Sequence, residues 1–80
     1  MQKIHVGDVI ENLHASENNP HRKGIVKLIY KDYIYMVTVH NGKLDSYSFY
    51  KRDVENDHEG WVVKGNVKLN VIIENILNKY

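Results

Sequence analysis

The chain has no cysteine, a single proline, and almost no net charge, formally +1 at pH 7. Without cysteine no disulfide can staple the fold, so 80 residues must be held by packing alone. The same absence fits a reducing compartment. No apolar run approaches the roughly 18 residues of a membrane span, and residues 1–20 lack the apolar core of a secretory signal. A cytoplasmic location and no membrane association are therefore expected. The length leaves room for one domain. Asn, Lys and Ile number nine, nine and eight, and Lys outnumbers Arg nine to two. These residues have AT-rich codons, which points to the genome of an AT-rich bacterium or its phage.

The strongest local signal is Asn41-Gly42 between two runs rich in β-branched and aromatic residues, 33–40 and 43–50. Asn and Gly tolerate the positive φ of a hairpin turn, so the pattern predicts a mainly β fold built on this hairpin. Its register has two solutions, and one residue of slip moves every side chain to the other face. A two-residue loop puts Val37 and Val39 on a face with Leu44, Ser46 and Ser48. A three-residue loop, His40-Asn41-Gly42, puts them with Tyr47 and Phe49. The second builds the larger apolar face and is the expected one, with Val37, Val39 and Phe49 in the core.

Other strands are expected from Val9 to Leu13, from Gly24 to Tyr30 with a turn at Lys31-Asp32, and from Trp61 to Lys64. A polar loop covers 14–21, and Lys51 to Glu59 reads as turn. The last segment alternates like a strand at Val67, Leu69, Val71 and Ile73. It also carries Leu69, Ile72, Ile73, Ile76, Leu77 and Tyr80 at helical spacing, and the longer match predicts a helix over 68–79. The expected architecture is a five-stranded SH3-like barrel over residues 1–66, followed by an amphipathic helix over 67–80 packed on the barrel or on a partner.

Val6-Gly7-Asp8-Val9-Ile10, then Gly24-Ile25-Val26 with Ile29, then Val37-x-Val39-x-Asn41-Gly42 resembles the opening of small SH3-like and Tudor-like barrels. The resemblance spans roughly residues 5–54. Similar signatures occur at the C-terminal end of superfamily 1 DNA helicases, in bacterial factors that bind RNA polymerase, and in small phage proteins. It implies a binding role. Arg22 and Lys23 stand where the polymerase-binding families have a further glycine.

Little in the chain carries reaction chemistry. The five histidines form no close metal-binding pair, and no cofactor is expected. Ser16, Ser46 and Ser48 lack a nucleophile turn, and the acids Asp53, Glu55, Asp57 and Glu59 crowd one short loop where they should stay solvated. A non-enzymatic role is expected. Charge is distributed unevenly: residues 20–52 carry +5 and residues 53–60 carry −4. Arg22, Lys23, Lys27, Lys31, Lys51 and Arg52, with Tyr33 and Tyr50, form the candidate binding surface.

Two ligand classes fit these residues. The first is a larger protein, since tyrosine anchors suit docking; a phage-type modulator of a host nucleic-acid enzyme, or a homodimer through the C-terminal helix, falls in this class. The second is nucleic acid, with Lys and Arg on phosphates and Tyr stacked on bases. The acidic loop 53–59 is a further candidate contact for a basic groove.

Overall fold

A computed structural model describes residues 2–56, 58–68 and 73–80. Five antiparallel strands form one sheet: β1 (Asp8–Asn12), β2 (Lys23–Tyr30), β3 (Tyr33–His40), β4 (Lys43–Tyr50) and β5 (Trp61–Asn66). A one-turn helix, α1 (Lys51–Glu55), links β4 to β5, and α2 (Ile73–Lys79) closes the chain. The sheet order is β4-β3-β2-β1-β5, so β1 to β4 run as a meander and β5 returns to pair with β1.

The expected closure into a barrel is not found. β4 and β5 are both edges, and the sheet instead curls until side chains of the two edges meet, the Phe49 and Trp61 rings lying 5.1 Å apart at 64°. The concave inner face carries Ile10, Val26, Ile34 and Met36, all fully buried, together with Trp61. Ile4 from the N-terminal segment and Val54 from α1 fill its open side. Gly24 is required where β2 passes β3, since a Cβ there would come within 2.5 Å of the Val37 carbonyl oxygen.

The hairpin register is the two-residue alternative, not the expected one. Asn41 and Gly42 both take positive φ, 53° and 76°, the pair of left-handed residues whose twist matches the flanking strands. His40 therefore pairs with Lys43, Val39 with Leu44, Met36 with Tyr47 and Ile34 with Phe49. The expectation failed because it assumed one apolar face. The sheet has two: Ile34 and Met36 join Tyr47 and Phe49 inside, while Val37 and Val39 look outward.

The helix α2 covers that outward side. Its Ile73, Ile76 and Leu77, with Tyr80, pack on Val9, Ile25, Val37 and Val39 in a second cluster. Lys68 is not helical, α2 is described from Ile73 to Lys79, and the expected stripe positions Leu69 and Ile72 lie outside the described residues. No helix among the described residues is long and apolar enough to cross a membrane.

Residues 51–59 are not simply turn. Val54 turns wholly inward, and Glu55, only 9% exposed, accepts the Ile4 backbone N–H at 2.9 Å. The expectation of a fully solvated acidic loop is corrected at Glu55: its carboxylate ties the N-terminal segment to α1, satisfying a backbone donor that would otherwise be buried unpaired. Asp57 lies outside the described residues.

Candidate functional site

The outer face is only half covered. α2 lies across its β2–β3 centre, while the far end of the β2-β3-β4 meander stays open. Three tyrosines stand there in one row across three strands: Tyr30 on β2 pairs with Tyr33 on β3, which pairs with Tyr50 on β4. Partners directly opposite in an antiparallel ladder share a face, so the rings form a continuous strip. All three are exposed, and the Tyr33 and Tyr50 rings lie 5.1 Å apart. Leu28, Tyr35 and Ser48 continue the same face one step inward.

A cation sits at each end of the strip. The Lys31 ammonium is 5.4 Å from the Tyr30 ring centre, and the Arg52 guanidinium is 5.0 Å from that of Tyr50. Two local devices place them. Lys31 holds a left-handed φ of 54° in the two-residue turn that pairs Tyr30 with Tyr33. Arg52 is the second residue of α1, which starts directly after Tyr50; the Lys51 N–H donates to the Asp32 carbonyl at 2.7 Å and locks that start to the turn. Beside the row, Asp32, Tyr33, Tyr50, Lys51, Arg52 and Glu55 line a groove of about 490 Å³.

The electrostatics favour a neutral ring at Tyr33. The Tyr33 phenol is held above its ordinary 10.0, first by the Tyr50 hydroxyl against it and then by the charge a Tyr50 phenolate would add, with slight desolvation, Tyr35 and Asp32 contributing further. Asp32, Asp53 and Glu55 offset the cations, and the Arg52 guanidinium is 3.8 Å from the Asp53 carboxylate. The strip is thus aromatic first and basic second.

Of the eight residues expected in one surface, the structure gathers Lys31, Tyr33, Tyr50, Lys51 and Arg52 at this end. Lys27 stands exposed at an irregularity in the β2–β3 pairing, between Val26 and Leu28. Arg22 and Lys23 lie at the opposite end of β2, about 25 Å from Lys31 at roughly 3.3 Å per residue. Arg22 is engaged internally: its guanidinium donates to Glu11 at 2.9 Å and to the Ala15 carbonyl, pinning the 14–21 loop to β1. These two residues line a separate cavity of about 590 Å³ with Glu17, Thr38, His40 and Leu77.

Tyr30 is the member of the strip that the candidate surface read from the sequence does not include. The signal was present: two residues between Tyr30 and Tyr33 make a tight turn, which forces them into opposition. Among the described residues no three of His, Asp and Glu converge as a metal site would require. Compared with family models, with curated proteins and with solved structures, the chain matches none.

Proposed function

We propose that the protein is a binding module of SH3-like architecture, not an enzyme, and that it docks onto a larger protein through the Tyr30–Tyr33–Tyr50 strip. The observation that carries this reading is the row itself. Three aromatic side chains stand open on a part of the outer face that α2 leaves bare, side by side on three adjacent strands. Tyrosines fixed in this way supply contact area at little entropic cost, and such residues dominate protein interfaces. The SH3-like assignment is supported by five antiparallel strands in which β5, after a one-turn helix, returns to β1.

A second reading, single-stranded nucleic acid, is favoured by the placement of Lys31 and Arg52 over tyrosine faces, where phosphates and bases could be met together. The carboxylates around the strip and the removal of Arg22 and Lys23 to the far end weigh against it.

The two readings separate by substitution and salt. Binding to partners captured from the source lysate, treated with nuclease, is compared for the wild type, Tyr33→Ala/Tyr50→Ala and Lys31→Ala/Arg52→Ala. A protein partner survives nuclease, and loses more from the tyrosine pair than from the charge pair. Loss on nuclease treatment, or a slope of affinity against salt that falls by about one unit per removed cation, decides for nucleic acid. Capture that survives both double substitutions places the site elsewhere, with the exposed acids of loop 53–59 next.

A further inference from the structure

Among the described residues, β4 has no strand partner on its outer edge. A two-residue turn makes His40 and Lys43 a hydrogen-bonded pair, and the alternation of an antiparallel ladder then turns the backbone N–H and C=O groups of Leu44, Ser46 and Ser48 away from β3. Natural edges are commonly blunted by brevity, a bulge or a proline. β4 has none of these: it is eight residues long, pairs β3 without a register shift, and contains no proline. Its two charges, Lys43 and Asp45, both sit at the turn end.

The outer face of β4 reads Leu44, Ser46, Ser48, Tyr50, nearly the same in both directions: an exposed apolar side chain at each end and two serines between. Leu44 is 66% exposed and Tyr50 46%. We propose that β4 pairs antiparallel with β4 of a second copy of this chain, with the two-fold axis at Tyr47. In that register Leu44 of each copy lies opposite Tyr50 of the other, and Ser46 lies opposite Ser48. The outward backbone groups meet outward backbone groups. Asp45 lies opposite Phe49 of the other copy, so within the paired segment 44–50 no like charges oppose each other. The two sheets become one, and each tyrosine row runs on across the axis onto Leu44 and Val39 of the second copy. An edge pairing of this length buries less than the roughly 1,600 Å² of a standard interface, so the association is weak and concentration-dependent. It does not depend on the docking function proposed above.

The chain has no cysteine, which makes the register testable by cross-linking. The two-fold sets position 47 opposite itself in a non-hydrogen-bonded pair, about 4.5 Å between Cα atoms, within reach of a disulfide. The full chain is examined by sedimentation equilibrium from about 10 µM to about 1 mM, alongside Tyr47→Cys, Ser46→Cys/Ser48→Cys, Ser46→Cys alone, and Ser48→Pro. The expected result is a mass rising from 9.4 kDa toward twice that value, lost in Ser48→Pro, which removes an outward N–H without touching the β3 ladder. Oxidation should link Tyr47→Cys into a dimer. Because Tyr47 also touches the core, the exposed double serine variant serves as a second probe; it should link, and Ser46→Cys alone should not. A mass of 9.4 kDa at every concentration, a dimer that Ser48→Pro leaves intact, or equal linking by the single and double serine variants overturns the proposal.

Discussion

The two faces of this sheet are built from similar strands and do different work. The inner face is covered by the curl of the sheet, by Ile4, and by Val54 of α1, with Ile10, Val26, Ile34 and Met36 out of contact with solvent. The outer face is covered where α2 and Val67 lie on Val9, Ile25 and Val37, and beyond the helix it keeps Leu28, Tyr30, Tyr33, Leu44 and Tyr50 exposed. A small chain without disulfides needs the first face dry to be stable at all. That leaves the uncovered part of the second free to carry exposed aromatic side chains, as the proposed docking surface requires.

The comparison breaks if truncations on the two faces cost the same. Met36→Ala, at a fully buried position, should lose about 2–5 kcal/mol in urea unfolding, whereas Tyr30→Ala, at the exposed row, should stay within about 0.5–1 kcal/mol of wild type. Deleting residues 68–80 should cost several kcal/mol as well, because it strips Leu77 and its neighbours from Val9, Ile25 and Val37; each such side chain contributes about 1.5–3 kcal/mol by burial. A truncated chain as stable and soluble as the full one would mean that the outer cluster is decoration.

The register itself can be tested at two adjacent residues. Thr38 is 4% exposed and shares the inner face with Asp45, its cross-strand partner, while Val39 is only half-buried. Thr38→Asp should therefore destabilise more than Val39→Asp, through both burial of charge and repulsion from Asp45. The reverse order in thermal unfolding would restore the three-residue loop. A smaller effect is expected at Glu55→Gln, which keeps an acceptor for the Ile4 N–H but removes its charge; about 1 kcal/mol should be lost, against roughly twice that for Glu55→Ala.

The finest test concerns the row alone. Tyr33 has a raised pKa, so its neutral phenol is favoured in the fold. Its contribution is fully present below the ordinary value of 10.0 and is lost as pH rises through the folded value. A titration of phenolate absorbance should show Tyr33 ionising above its ordinary value of 10.0, and Tyr50→Phe should bring it back. No change in that variant would mean that the two rings are not neighbours in solution.

Local chemistry alone determined much of this protein. Asn41-Gly42 makes a tight turn whatever surrounds it, because few other residues accept two successive positive φ angles. The spans of β3 and β4 follow directly from β-branched and aromatic runs on either side. The helical stripe at Ile73, Ile76, Leu77 and Tyr80 is likewise legible, since 3.6-residue spacing is a property of the chain itself.

What only the tertiary structure decided is how those pieces use their faces. The choice between hairpin registers depends on whether one side of the sheet is covered or two, and α2 reaches the outer face from far along the sequence. The basic residues were counted as one patch, yet β2 carries Lys23 and Lys31 to opposite ends of the molecule, and Glu11 claims Arg22. Glu55 looks like one acid among four until α1 turns it toward the Ile4 N–H. Spacing along a chain sets direction and period, whereas proximity across strands depends on topology, and the tyrosine row exists only because three strands lie side by side.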